Sequence, residues 1–230
     1  MKKLFLSVAV LALSVCSLFA QTIDEIVAKH INALGGADKL KQVKSLVVES
    51  TIKVQGLEME NQTSIIINGA VRSESTVMGN TLVQAFDGAM AWENTPVMMG
   101  GSGKPQKMAD EMAGTVINQA DPFPLLDYAA KGTTLELLAP EEGSFHFKIT
   151  PKAGSVFEIW IDSNTHLVNK QKSFQNGQEV MIVFSNFAET DGIKFAMHME
   201  VMAGMISIDT KSVKINSSID RSIFKMPTLK

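Results

Sequence analysis

Ile23, Ile26, Val27, Ile31 and Leu34 recur at three- and four-residue intervals until Gly35-Gly36 interrupts them, the period of one helix face. Thr22 and Glu25 stand at capping-box spacing just ahead of this run. An amphipathic helix is therefore predicted, followed by a short helical piece from Ala37 to Val43. From Lys44 the period changes to two: Leu46, Val48, Ile52 and Val54 fall on one side, Glu49, Thr51 and Lys53 on the other. Similar runs continue almost to the end of the chain, separated by glycine-bearing turns at Gly56, Gly69, Gly79, Gly88, Gly143, Gly154, Gly177 and Gly192. The pattern is that of consecutive hairpins in one large antiparallel meander.

The meander is interrupted once. A glycine-rich loop, Val97 to Lys104, leads into a stretch from Pro105 to about Gln119 in which Met108, Met112 and Val116 repeat every four residues. With Pro105 at a first helical position, a second helix is predicted there. Asp121-Pro122-Phe123-Pro124 ends it, and Leu125 to Ala130 are expected to form another short helix. The predicted architecture is mainly β with covering helices, one antiparallel sheet curved into an incomplete barrel. No fixed-period repeat or linker divides it, so residues 21–230 are read as one domain.

The first twenty residues are read differently. Lys2 and Lys3, the apolar run Leu4 to Leu13 and the exit Phe19-Ala20 form the pattern of a cleaved secretory signal, which places the mature protein in the periplasm. Leu13-Ser14-Val15-Cys16 resembles a lipoprotein box, giving a lipid-anchored alternative through Cys16, although Val15 is larger than the usual residue there. Cleavage after Ala20 leaves no cysteine, and so no disulfide or thiolate chemistry. Losing Lys2 and Lys3 from 21 basic residues leaves 19 against 24 acidic ones, a formal charge of −5. That balance, without long charge runs, argues against nucleic acid or an anionic membrane surface as the main partner.

Candidate chemistry is sparse. His30, His146, His166 and His198 lack metal-ligand spacing. His198 and Glu200 share a strand face and form the nearest approach to a general-base pair, though a solvent-facing polar pair accounts for them as well. Gly100 to Lys104 fails as a phosphate loop, because Met98 replaces the first glycine and Pro105 the magnesium-binding hydroxyl. No catalytic residue, metal or cofactor is expected. Methionine is abundant instead, and Met98-Met99 in a glycine-rich loop and Met197, Met199, Met202 and Met205 suit an apolar surface that adapts to varied ligands. Phe145, Phe147 and Ile149, and Phe157, Ile159 and Ile161, form two further apolar faces, able to line a concave cavity or to pack under helices.

Several segments resemble the outer-membrane lipoprotein-sorting family with the LolA-like half-barrel, particularly its Bacteroidetes versions. They are Ile26 to His30 running into Leu34-Gly35-Gly36, Gln84-Ala85-Phe86-Asp87-Gly88 with Trp92, Phe184-Ser185-Asn186-Phe187, Asp191 to Phe195, and Ile219 to Pro227. The resemblance implies a LolA/LolB-like half-barrel that encloses an apolar cavity for acyl chains of lipoproteins or lipids. It implies partners that load and receive the cargo at the two membranes, and a monomer. Exposing a sixteen-carbon chain to water costs on the order of 10 kcal/mol, so a carrier must cover it. Arg72 falls near an arginine that in the family tethers the lid through backbone carbonyls, while pairing with Glu74 on the same strand face is the alternative. The expected cavity or lid residues are Arg72, Trp92, Met98, Met99, Met108, Met112, Phe145, Phe147, Phe157, Ile159, Met197 and Met199. An envelope sensor or interaction module, and an enzyme acting on an apolar small molecule, are the competing readings.

Overall fold

The capping box at Thr22 forms as predicted: its hydroxyl accepts from the Glu25 amide at 3.2 Å while Glu25 accepts from the Thr22 amide. It opens α1, Ile23–Leu34, which Gly35 terminates, and α2, Ala37–Gln42, follows. This computed structural model describes residues 22–175 and 177–228. The expected signal peptide and Cys16 lie outside the described residues.

Thirteen strands follow: β1 Ser45–Val54, β2 Leu57–Ile66, β3 Ala70–Val77, β4 Asn80–Phe86, β5 Ala91–Asn94, β6 Gln106–Lys107, β7 Thr134–Leu137, β8 Ser144–Thr150, β9 Phe157–Asp162, β10 Val168–Gln175, β11 Gln178–Thr190, β12 Ile193–Val201 and β13 Ile206–Ile215. They form one antiparallel sheet in the order β6-β5-β4-β3-β2-β1-β13-β12-β11-β10-β9-β8-β7. Strands β1 to β6 walk outward from the middle of the sheet to one edge, β7 to β13 walk inward from the other edge, and the two meanders join where β1 pairs β13. The edges β6 and β7 do not pair, so the curved sheet stays unclosed. Between them in sequence lies α3, Asp110–Asn118, which touches β3, β4 and β5 of one half and β10 of the other. It therefore crosses the inner face.

Two expectations are corrected. Helix α3 begins at Asp110, not at Pro105, because Gln106 and Lys107 pair with Glu93 and Trp92 and extend the sheet edge. Leu125 to Ala130 form turns, not a helix, since Asp127 takes a positive φ of 49° that no α-helix contains.

Residues paired directly across strands share a face, so the register sorts inside from outside. One apolar row, Leu46, Ile65, Val71, Phe86 and Ala91, crosses β1 to β5, and Phe147 and Ile149 on β8 lie opposite Ile159 and Phe157 on β9. Ile26, Val27 and Ile31 of α1, Leu40 of α2, and Met108 and Val116 pack onto these residues as one core. Gly35 at the end of α1 is seated so closely on the β11–β12 turn that a Cβ there would lie 2.2 Å from the Gly192 carbonyl oxygen.

Candidate functional site

The helical layer covers only part of the inner face. Beyond it, Met59, Ile52, Ile208, Met199 and Phe184 form an unbroken apolar row across β2, β1, β13, β12 and β11. A second row, Leu57, Val54, Ile206, Val201 and Ile182, runs beside it on the same five strands. All ten side chains are half-buried and stand outside the packed core. Four strand spacings of about 4.8 Å make this floor about 19 Å wide.

A polar band separates floor from core. Ser50, Asn61 and Ser75 pair across β1, β2 and β3, and Thr63 and Ser73 pair in the neighbouring row. Asn61 is the hub: its amide nitrogen donates to Ser50 Oγ at 3.2 Å and Thr63 Oγ1 at 3.1 Å, and its carbonyl oxygen accepts from Ser73 at 2.8 Å and Ser75 at 3.0 Å. With its polar groups satisfied by one another, the band can flank an apolar ligand without an unpaired group. The inner face is thus amphipathic: an apolar floor bounded by amide and hydroxyl groups.

The expected cavity residues divide among four places. Met197 and Met199 lie on the uncovered inner face, Met199 within the floor itself. Phe147 is 0% exposed, Met108 1% and Ile159 2%, and Phe145, Phe157 and Met112 belong to the same packed core. A side chain that water cannot reach has no water-sized void beside it, so Phe147, Met108, Ile159 and Phe157 line no open cavity, while Phe145 and Met112 pack half-buried against the same core. Met98 and Met99 form a 3₁₀ turn, Val97–Met99, beyond the end of β5.

Arg72 and Trp92 are on the outer face, which corrects their placement in a cavity. Ala85 pairs with both, on the side opposite Val71, Phe86 and Ala91. Arg72 Nη1 donates to the Ile223 carbonyl at 2.9 Å, Nη2 pairs with Glu74 at 2.7 Å, and Trp92 Nε1 donates to the Phe224 carbonyl at 2.7 Å. Both side chains clamp the C-terminal 3₁₀ turn Arg221–Phe224, and Phe224 is buried beneath it. Arg72 does hold a backbone carbonyl, that of Ile223, and does pair Glu74, but it tethers the chain's end to the outer wall.

The histidines also sit away from the floor. His198 Nδ1 contacts Asp209 at 2.7 Å and Nε2 lies 3.6 Å from Glu200, on the outer face. The Asp209 bond pushes the imidazole above its ordinary pKa, and the same bond holds Asp209 below the usual carboxylate range. His146, which sequence reasoning treated only as a lone histidine, stacks on Trp160 at 4.0 Å and meets Glu158 at 2.8 Å. These groups follow from the strand register of β8, β9 and β10, which is not visible locally in the sequence. His30 is buried in α1 against the His166 carbonyl, and burial lowers its pKa. Among the described residues no group of three or more His, Cys, Asp or Glu is placed to hold a metal ion.

A separate cleft of about 660 Å³ opens at the other end of the strands, between α2, the β2–β3 turn and residues 121–131. Most of its charged lining is engaged: Lys41 pairs Asp127 at 3.0 Å, Lys131 binds Asp121 and the Phe123 carbonyl, and Lys44 donates to the Lys41 carbonyl, with Arg221 also on its wall.

The sequence matches no family model and no curated protein. Among solved structures, a LolA superfamily protein from Nitrosomonas europaea superposes with a TM-score of 0.57 at 12% identity, over 90% of this chain and 98% of that one. A DUF1329 family protein from Desulfovibrio piger gives 0.48 at 12% identity, over 88% and 97%. The motif segments that suggested this family meet in space as structural joints: Gly35 against Gly192, and Trp92 against the turn ending at Phe224. At 12% identity the likeness is one of fold, and the protein is a LolA-like half-barrel.

Proposed function

We propose that the protein is a periplasmic, non-catalytic carrier that holds acyl chains of lipids or lipoproteins against the uncovered floor. The supporting observation is the pair of five-strand apolar rows, ten half-buried aliphatic, aromatic and thioether side chains that the fold leaves without a cover. Burying apolar surface stabilises by about 25 cal/mol per Å², so a chain laid along this floor gains contact that water cannot supply. Met59, Met197 and Met199 let the surface adapt to chains of differing shape. The band around Asn61 suits the ester or amide end of an amphipathic ligand, which places chains on the floor and the polar end beside β1–β3. Cargo rides in an open groove, since the helix-covered half of the inner face is already filled.

Native mass spectrometry of the protein recovered from the periplasm of its own cell tests this reading. The expected result is a population carrying bound lipid that is lost on gentle activation. Bare protein throughout, from cells rich in lipoprotein, would contradict it.

A further inference from the structure

The floor's outer row runs straight into a set of turns whose character differs from that of the rest of the molecule. Residues 55–56, 78–79, 95–104, 151–156, 175, 177–178 and 202–205 all lie at the end of the strands away from α2. Their sequences contain no carboxylate and two cations, Lys104 and Lys152. The turns at the opposite end carry Asp87, Asp121, Asp127, Glu141, Glu142, Asp191 and Asp220. Net charge, which argued against a membrane surface, averages over this segregation.

The same turns and their flanks hold most of the large apolar side chains that face water. Met78 is 78% exposed, Val97 71%, Met98 58%, Met205 56% and Phe174 54%. Exposed apolar residues scattered singly need no explanation, but five of them gathered along one edge do. Backbone geometry supplies a second observation. At the acid-rich end, left-handed turn positions are filled mostly by residues that tolerate them, Asn68, Asp127, His166, Asp191 and Asn216, with Glu142 as the exception. At the apolar end they are filled by Gln55, Met78, Met202 and Ala203, with φ between 48° and 56°. Met78 thus accepts an unfavourable conformation while burying almost none of its own surface, a local cost without a folding benefit.

We propose that this rim docks on the surface of a lipid bilayer, with Met78, Val97, Met98, Phe174 and Met205 entering the headgroup region and Lys104 reaching the phosphates. The charge pattern favours a bilayer over a protein partner: there is no carboxylate to desolvate, and the acid-rich pole is held away from an anionic surface. The carboxylates nearest the rim lie in strands, where Glu58 is 3.8 Å from Lys53, Glu200 is 3.6 Å from His198 and Glu93 accepts from Gln106 at 3.1 Å, while Glu179 faces solvent. Because Val54, Leu57, Val201 and Ile206 border two of these turns, the docked rim presents the floor's edge to the lipid. Docking is a property of the rim alone and goes beyond the carrier reading.

Co-sedimentation of the full chain, processed alike in every variant, with vesicles of three parts phosphatidylethanolamine to one part phosphatidylglycerol tests the proposal. Wild type is expected to bind, the double variant Met98→Glu/Met205→Glu to bind at least tenfold more weakly with an unchanged urea midpoint, and Lys104→Glu to lose its preference for phosphatidylglycerol. Met78→Asn is expected to raise the urea midpoint while weakening vesicle binding, an opposition that a purely structural role would not produce. All rim variants should keep wild-type affinity for a fluorescent fatty acid, so that failed docking and failed cargo binding are read separately. Wild-type protein that stays in the supernatant, or rim variants that sediment as well as wild type, would overturn the proposal. Capture of a protein by the rim with no vesicle binding would overturn it equally.

Discussion

Replacing Arg72 by leucine separates a clamp on the chain's end from a tether on the cargo site. The substitution removes a charge-assisted bond to the Ile223 carbonyl at 2.9 Å, worth about 1.5–3 kcal/mol. It also removes the guanidinium lying 5.4 Å from the Trp92 ring centroid, about 0.5–1 kcal/mol at a partly exposed site. The pair with Glu74 adds at most about 1 kcal/mol, because that carboxylate is 36% exposed and regains water when its partner leaves. Leucine keeps some packing, so a net loss of about 2–4 kcal/mol is expected by urea denaturation. Release of the Arg221–Phe224 turn should also speed tryptic cleavage after Arg221 and Lys225. Fatty-acid affinity should stay within twofold of wild type, since Arg72 lies on the outer face. A stability loss below about 0.5 kcal/mol would refute the clamp. A tenfold change in affinity would restore Arg72 to the cargo site.

Gly35→Ala should lower stability by more than about 2 kcal/mol, because its Cβ has no room against the Gly192 carbonyl and its φ of 131° suits glycine alone; calorimetry at neutral pH checks this. The two histidines act on stability with opposite signs. His198, raised by Asp209, contributes stability that is present below its unfolded pKa and lost as pH rises through its folded one, while Asp209 contributes only above the carboxylate range. His198→Asn should therefore lower the melting temperature more at pH 5.5 than at pH 8.5. His30, lowered by burial, must be neutral to fold, so its penalty grows as pH falls below the ordinary imidazole range. His30→Gln should flatten the acid limb of the melting-temperature profile.

The sequence made local features legible and left non-local ones hidden. The Thr22 capping box and the alternation of Phe145, Phe147 and Ile149 are set by neighbours a few residues away, and both form as read. Whether an apolar face is filled or open depends on what covers it, and that is decided by residues a hundred positions distant. Phe147 and Ile159 belong to the one packed core that includes residues of α1 and α3, whereas Ile52 and Ile208 do not, although each strand shows the same period of two. The floor is recognisable only once register aligns five strands, and the polar band that isolates it arises from Asn61, Ser73 and Ser75, unremarkable residues in isolation. Trp92 and Arg72 stood out as sequence signals because they fix the chain's end to the wall. A conspicuous residue marked a joint, not the site.

Titration of a fluorescent fatty acid into wild type, Ile208→Glu and Phe147→Leu tests the central claim, that cargo lies on the open floor and not in the helix-covered core. Ile208 sits mid-row and half-buried, so glutamate there is tolerated by the fold while placing a charge under any bound chain. Phe147→Leu loosens the core by about 1 kcal/mol and leaves the floor untouched. The account predicts binding at least tenfold weaker in Ile208→Glu and unchanged in Phe147→Leu; full affinity in Ile208→Glu, with loss in Phe147→Leu, would contradict it.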